Sequence, residues 1–254
     1  MTRTLFRFVP LGLLLVTSTA TAGWYEVKNY VGTIGNLPVH VSLQTFDSIN
    51  HGEPSQWHVD GGYYYDAHRT PIPLQGKRQP DGHMTLCEAA APLSSAESPI
   101  VPTRSAAHPV PCPISLKIAD DGATGEWNDG KKALPITLHQ VGSLNDTGDT
   151  EHPVTGVVEI PMWYHTKTQL LLGIYESAPD CPASMLHLRL VNIATGHIDN
   201  DITLDCQAGM IMTPIYANVS KSSAPHSVTV GFAGGKMGSD EDIDIESHAS
   251  QGKK

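Results

Sequence analysis

Short runs in which apolar and polar residues alternate recur along most of the chain. In residues 38–44, for example, Val39, Val41 and Leu43 alternate with polar neighbours. Because successive side chains of a β-strand point to opposite faces, this pattern predicts strands with one buried face. No window shows the sustained three-to-four-residue apolar spacing of an amphipathic helix. The predicted fold class is therefore all-β.

Residues 61–88 show how the predicted strands connect. They contain three alternating runs, and Pro80-Asp81-Gly82 separates the last two. Proline presets φ at one turn position and glycine accepts positive φ at another, so this tripeptide predicts a tight reversal. Asp129-Gly130 is a second hairpin signal. Eight strands are predicted, at 24–31, 38–44, Tyr63 to Tyr65, Ile72 to Leu74, Met84 to Leu86, 114–118, 123–127 and 134–138.

Eight sequential strands joined by short turns predict an antiparallel up-and-down meander. Such a meander can close into a small barrel or a half-barrel, and closure removes exposed sheet edges. We assign residues 23–141 to this β-meander domain.

A second β-rich domain is predicted at 153–246. Residues 142–152 are polar, acidic and turn-rich, and we interpret them as a linker. The polar tail 247–254 is predicted to be disordered. The strands predicted in this domain are 154–160, 170–176, 185–192, 201–206, 209–216 and 227–232.

The first residues have the organisation of an export signal. Arg3 and Arg7 precede an apolar segment, 8–16, that is too short to span a bilayer, and Ala20-Thr21-Ala22 forms a small-residue cleavage site. We expect a signal peptide at 1–22, cleaved after Ala22, and a periplasmic or secreted protein. The alternative, an uncleaved anchor, is disfavoured by the well-formed cleavage site. No later segment is apolar enough for membrane insertion.

The chain contains four cysteines, an even number that suits two disulfides in an oxidising compartment. Three connectivities can be drawn. We favour Cys87–Cys112 with Cys181–Cys206, because each pair lies within one predicted domain. Each bridge would close a loop of about 25 residues and contribute about 3 kcal/mol in the chain-entropy model. A cysteine metal site is the competing interpretation, but no C-x-x-C spacing supports it.

The formal charge of the chain is −10. Loss of Arg3 and Arg7 with the signal peptide would make it two units more negative. Phosphate recognition needs a basic surface, so nucleic acid is not an expected partner. A basic protein partner would suit this charge, but the sequence assigns neither the partner nor an oligomeric state.

The histidines and acidic residues do not predict a metal site. The closest groupings, His51 with His58 and His83 with Cys87, lack the spacing of known zinc sites. An acidic run near the end resembles a calcium loop only in its first positions, since Ile245 and Gln251 occupy the places of the required Gly and Glu. We interpret this run as a solvated acidic tail. Its members are Asp240, Asp242, Asp244 and Glu246.

No motif predicts catalysis. The chain has no G-x-S-x-G nucleophile elbow and no glycine-rich phosphate loop that opens a helix. We therefore assign no catalytic residue and no cofactor, and an enzyme is the less favoured interpretation.

Three consecutive tyrosines indicate a candidate contact surface. If Tyr63 and Tyr65 face the barrel interior, Tyr64 faces outwards and would be exposed together with His68, beside Arg69. Tyrosine and arginine are enriched in binding hot spots. We therefore predict a binding patch at Tyr64, His68 and Arg69.

Several short motifs in residues 25–140 resemble those of an uncharacterised exported bacterial module. The module has an aromatic-G-x-I-G opening, then G-x-Y-x-Y, I-x-L-x-G and L-x-L-x-E strands, and a late G-x-W followed by P-I-x-L. The resemblance implies an exported β-meander and supplies no catalytic or binding residue. The matching residues are Tyr30, Gly32, Ile34, Gly35, Gly61, Gly62, Tyr63, Tyr64, Tyr65, Ile72, Leu74, Gly76, Leu86, Glu88, Gly125, Trp127, Pro135, Ile136 and Leu138.

These observations favour an exported, non-catalytic binding protein, such as an inhibitor or an immunity-type partner of an exported enzyme. One alternative is a carrier of a small apolar ligand, which requires a cavity lined by Tyr63, Tyr65 and Trp127. The other is a cell-envelope hydrolase without a recognisable motif, which requires a cleft that gathers histidines and carboxylates.

Overall fold

A computed structural model describes most of the chain. The described residues are 25–46, 57–88, 112–145, 153–163, 165–181, 184–206, 226–232 and 239–245. The predicted signal peptide, the predicted strand 209–216 and the predicted tail 247–254 lie outside these ranges.

The first eight strands form a closed antiparallel barrel. Each strand pairs with the next in sequence, and β1 pairs with β8 to close the barrel. A short ninth strand adds to the end of β8. The meander is therefore a full barrel rather than a half-barrel. Its strands are β1 (Tyr25–Ile34), β2 (Leu37–Phe46), β3 (Trp57–Tyr65), β4 (Ile72–Arg78), β5 (His83–Glu88), β6 (Ile114–Ile118), β7 (Gly122–Asn128), β8 (Ala133–Asn145) and β9 (Val154–Gly156).

Inward-facing side chains fill the barrel. They include Val39, Val41 and Leu43, the alternating set of β2, which are all buried. The interior leaves a cavity of only about 10 Å³. A cavity of that size is at the lower limit for a single water molecule. The interior is thus a packed core.

Glycines let neighbouring strands approach closely inside the barrel. A Cβ on Gly76 would collide with the backbone oxygen of Thr85, and a Cβ on Gly125 with that of Ser115. Inward-facing glycines of this kind permit the sharp bends that closure of a small barrel requires. Gly76 and Gly125 therefore cannot carry a side chain without moving the neighbouring strand.

Tyr63, Glu88 and Trp127 meet in one hydrogen-bonded cluster. The Tyr63 hydroxyl donates to Oε1 of Glu88 at 2.8 Å, and Nε1 of Trp127 donates to the same oxygen at 3.0 Å. The Tyr65 ring packs edge-on against Tyr63. Burial, together with the bond to Glu88, raises the pKa of Tyr63 far above its usual value. The hydrogen bonds of Tyr63 and Trp127 to Glu88 therefore stabilise the barrel.

Replacing Glu88 with alanine is expected to lower the free energy of unfolding by about 2 kcal/mol, because two donors lose their acceptor. Glu88→Gln keeps an acceptor oxygen and should retain most of the stability. Urea unfolding measures both. Glu126→Ala is the control, since this exposed residue accepts a hydrogen bond from the exposed Asn128 side chain; the loss of stability should be below about 0.5 kcal/mol. Equal losses for Glu88→Ala and Glu126→Ala would contradict the assigned role.

The second part of the chain forms a four-stranded antiparallel sheet and a hairpin. The sheet has the order β10, β11, β12, β13, and β14 pairs with β15. The fourth predicted strand of this region, 201–206, is shifted, because the Thr195-Gly196 turn reverses the chain at once and β13 starts earlier. The strands are β10 (Val158–Pro161), β11 (Gln169–Tyr175), β12 (His187–Asn192), β13 (Ile198–Thr203), β14 (Ser227–Phe232) and β15 (Ser239–Asp244).

The acidic run was interpreted as a solvated tail; Asp242 and Asp244 are indeed exposed to solvent, but the described part of the run belongs to a strand rather than to a tail. Residues 240–244 lie in β15, paired with β14. Ile243 and Ile245 are buried in the same core as Val228 and Val230, while Asp242 and Asp244 are exposed. Asp242 and Asp244 therefore lie on the outer face of a strand whose inner face includes Ile243. Glu246 lies outside the described residues.

The second sheet packs against the outside of the barrel. All seven residues of β11 are buried. Leu171 belongs to a core that also contains Val27 of β1 and Leu144 of β8, whereas Leu172 packs with Tyr64 of β3. β8 continues to Asn145, so the first residues of the predicted linker belong to the barrel.

Buried polar contacts fix the position of the sheet on the barrel. Nδ2 of Asn29 donates to the carbonyl oxygen of Glu159 at 2.6 Å, and the Ser42 hydroxyl donates to Oδ1 of Asn29 at 3.1 Å. Nε1 of Trp163 donates to the carbonyl oxygen of Gly61 at 2.6 Å. Since buried donors and acceptors need partners, these bonds favour one arrangement of the two layers over others.

The structure confirms the favoured disulfide connectivity. Cys87 at the end of β5 is bonded to Cys112, and Cys181 after β11 is bonded to Cys206 after β13. Two disulfides are consistent with an oxidising, extracellular compartment. Within the described ranges, no helix has the length and apolar character needed to cross a membrane.

Candidate functional site

A groove of about 230 Å³ lies where the barrel meets the second sheet, and it opens to solvent. We call it the barrel–sheet groove. The barrel side consists of His40, Tyr64, Asp66 and Arg69. The sheet side consists of Leu170, Leu172, Val191 and Ile198, together with Glu159, Arg189 and Gly196; Ile198 is 46% exposed, whereas the other three apolar side chains are buried.

The pairing of β2 with β3 positions the residues on the barrel side of the groove. His40 is directly opposite Tyr64 in the register, and their rings stack with centroids 5.0 Å apart. Nε2 of His40 lies 3.2 Å from Oδ1 of Asp66. Burial raises the pKa of Tyr64 well above its usual value, and the negative charges of Glu159 and Asp66 add to this effect while Arg69 opposes it. The Tyr64 hydroxyl therefore stays protonated as a potential donor.

Ion pairs link the charged residues on the sheet side of the groove. Nη1 of Arg189 lies 3.0 Å from Oε1 of Glu159, and Nη2 lies 3.1 Å from Oδ2 of Asp201. These partners come from β10 and β13. The Arg189 guanidinium is therefore paired within the protein.

Arg69 differs from the other charged residues of the groove. It follows the turn after β3, where its backbone N–H donates to the carbonyl oxygen of Tyr65, and its φ is 41°. A left-handed conformation costs a non-glycine residue about 1 kcal/mol. Nη1 donates to the carbonyl oxygen of Ile193 across a long 3.4 Å. In the described part of the chain, no carboxylate pairs with this half-buried guanidinium.

Gly196 provides a flat surface for the Arg69 side chain. A Cβ on Gly196 would lie 2.7 Å from Cζ of Arg69, closer than such contacts allow. Gly196 has a φ of 74°, which suits glycine in the turn between β12 and β13. The turn at Gly196 therefore leads into β13 and leaves space for the guanidinium of Arg69.

The structure places two of the three predicted binding residues in the groove. Tyr64 and Arg69 line it, whereas His68 is exposed outside its lining. The expected exposure of Tyr64 is wrong: the side chain is 7% exposed, because the second sheet covers this sector of the barrel. Glu159, Arg189 and Gly196 were not predicted, because no sequence signal showed that the second sheet packs beside β3.

The histidines of the predicted groupings have other neighbours. Nε2 of His58 lies 3.1 Å from Oδ1 of the buried Asp60. Burial lowers the pKa of His58, but the bond and charge of Asp60 outweigh this and raise it above its usual value. Cys87 is in a disulfide, and His51 lies outside the described residues. Among the residues that the structure describes, no group of three or more His, Cys, Asp or Glu could hold a metal ion.

Comparison with known proteins assigns no family to the chain. No family model, curated protein or solved structure matches it. The groove is therefore the feature from which a function can be inferred.

Proposed function

We propose that the protein is an exported, non-catalytic binding protein that recognises a protein partner through the barrel–sheet groove. The observation that carries this proposal is the half-buried guanidinium of Arg69, which lines an open groove together with the exposed Ile198 and has no ion-pair partner among the carboxylates of the described residues. A concave surface with convergent polar groups is typical of a binding site. An arginine within such a surface is typical of an interaction hot spot.

We further propose that residues 1–22 direct export and that cleavage follows Ala22. The two disulfides support this, because such bonds persist in oxidising compartments. A periplasmic or secreted location also suits the inhibitor or immunity-type role, in which the partner is an exported enzyme.

The alternatives have less support. A carrier of an apolar ligand requires space beside Tyr63, but the barrel cavity of about 10 Å³ holds no such ligand. A hydrolase with a protein nucleophile requires a Ser, Thr or Cys beside a base. The groove does gather one histidine and two carboxylates, but none of the described residues that line it is a Ser, Thr or Cys.

Site-specific photo-cross-linking tests the proposed surface. A photoreactive amino acid at position 198, which is 46% exposed at the groove, is expected to give an adduct of protein size in the native cell. The same amino acid at position 131, an exposed turn residue between β7 and β8, is the matched control. We expect at least about tenfold less adduct at position 131, since most interface energy lies in a few central residues. The proposal would be contradicted if positions 198 and 131 gave equal amounts of cross-linked adduct, or if neither position gave any.

A further inference from the structure

We infer that the pair His58–Asp60 makes the packing of the second sheet on the barrel dependent on pH, with the packing more stable when His58 is protonated. This dependence is a property of the fold and does not require the proposed partner. Both residues belong to β3, the barrel strand that carries Tyr64 at its other end.

Asp60 lies on the face of β3 that the second sheet covers. Asp60, Gly62 and Tyr64 share that face, because successive side chains of a strand alternate. Pro161 of β10 lies against Gly62, and Tyr64 packs with Leu170 of the second sheet. Asp60 is buried. Removing a carboxylate from water is costly unless its charge is compensated.

His58 is placed to compensate the charge of Asp60. Its Nε2 lies 3.1 Å from Oδ1 of Asp60. Gln44 is directly opposite Asp60 in the register with β2, but neither its side-chain nitrogen nor its side-chain oxygen has a hydrogen-bond partner in the described residues. This neighbouring amide therefore does not bond to the carboxylate. Protonation of His58, in contrast, puts a positive charge beside it.

The pair is more enclosed than the other histidine–aspartate pairs in the described part of the chain. The aspartate side chains of those pairs are at least 31% exposed, whereas that of Asp60 is 2% exposed. Because water screens exposed pairs, each contributes little to stability. We therefore expect the effect of pH through such pairs to be largest at His58. The exposed pairs are His40–Asp66, His83–Asp81, His187–Asp201 and His197–Asp199.

The groups around His58 favour its protonated form. Burial lowers its pKa, the hydrogen bond and the charge of Asp60 raise it, and the charge of Lys77, opposite His58 in β4, lowers it. On the other side, β2 has the uncharged residue Phe46 opposite His58, and the charge of Glu159 in β10 acts further along β3. The net result is a pKa of His58 above its ordinary value.

A raised pKa in the folded protein sets the direction of the pH dependence. The stabilisation is fully present below the ordinary histidine pKa of about 6.5, and it is lost as pH rises through the higher pKa of the folded protein. We therefore expect the second sheet to be held less firmly on the barrel at mildly alkaline pH. Because the barrel–sheet groove has residues from both layers, the groove is affected with their packing.

NMR titration of the disulfide-bonded mature protein tests this inference directly. We expect the imidazole resonances of His58 to titrate at a higher pH in the folded protein than in the same protein unfolded in urea. The indole N–H of Trp163, which donates to the carbonyl oxygen of Gly61 next to Asp60, should shift with the midpoint of His58. The indole of Trp127, which is bonded elsewhere in the barrel, is the control and should not follow it.

Two outcomes of the titration would overturn the inference. One is a midpoint of His58 in the folded protein that is equal to or below that of the unfolded protein. The other is an indole resonance of Trp163 that moves no more than that of Trp127, because the protonation of His58 would then leave the contact between the layers unchanged.

Variants separate the pair from the general titration of the protein. The chain has a formal charge of −10 and 13 histidines, so acidification reduces its self-repulsion whatever His58 does. We compare the ratio of the unfolding equilibrium constant at pH 8 to that at pH 6, measured in urea. This ratio should be at least about twofold larger in the parent than in His58→Gln, which has a donor but no titratable charge.

His83→Gln is the matched control, since it removes a pair in which both side chains are exposed. We expect its ratio to equal that of the parent. Equal ratios for His58→Gln and His83→Gln would contradict the assigned role of His58. The NMR titration uses the parent protein, so it decides the question even if His58→Gln does not fold.

Discussion

Replacing Trp163 with alanine is expected to lower the free energy of unfolding by about 3–5 kcal/mol. Trp163 is 4% exposed and belongs to the core that joins the second sheet to the barrel. Its Nε1 donates to the carbonyl oxygen of Gly61 in β3. The substitution would leave a large cavity and remove the donor from a buried carbonyl group. Urea unfolding followed by circular dichroism measures the loss.

Trp163→Phe separates packing from hydrogen bonding. It keeps most of the buried ring and loses the donor, so we expect a smaller loss of about 1–2 kcal/mol. Hydrogen exchange adds a spatial test, since amides of β10–β13 should become less protected in Trp163→Ala than those of β4–β7. A loss below about 1 kcal/mol in the alanine variant, or uniform exchange across both layers, would show that Trp163 does not hold the sheet on the barrel.

The alternation of residues predicted the barrel strands, because each strand has one face in a single core. Val39, Val41 and Leu43 face inwards as the pattern indicates. The same alternation could not predict that β1 pairs with β8 and closes the barrel. The pairing of Tyr30 with Gln140 joins the first and last strands of the barrel, and periodicity states which way a side chain points but not which strand lies beside it.

The same limit explains the error at Tyr64. Its orientation opposite to Tyr63 was predicted correctly, since neighbouring residues of a strand face opposite sides. The outward direction, however, leads here to Leu170 and Leu172 of the second sheet rather than to solvent. The candidate site depends on that packing, so one wall could be predicted from local sequence and the other could not.

The turn that contains Arg69 could be predicted only in part. Its polar composition indicated a turn, and the residue was correctly placed near Tyr64. Its positive φ could not be read from the sequence, because arginine rarely adopts that conformation. The approach to Gly196 is a contact between turns far apart in the chain, which only the packed structure reveals.

Removing both disulfides by replacing all four cysteines with alanine is expected to lower the free energy of unfolding by about 6 kcal/mol. Each bridge spans a sequence separation of 25 residues, and the chain-entropy model gives about 3 kcal/mol for such a loop. The sum is comparable to the whole stability of an ordinary domain, about 5–15 kcal/mol. Urea unfolding of the four-alanine variant and of each single-pair variant measures these losses.

Comparing the two variants that each lack one disulfide also tests whether the barrel and the second sheet unfold together. Cys87–Cys112 lies in the barrel and Cys181–Cys206 flanks the second sheet, so the effects of removing the two bridges should add within about 0.5 kcal/mol. Because Val27 and Leu144 of the barrel share a core with Leu171 of the sheet, we expect a single transition that either deletion shifts. Two transitions, each responding to one deletion only, would show that this shared core does not couple the layers.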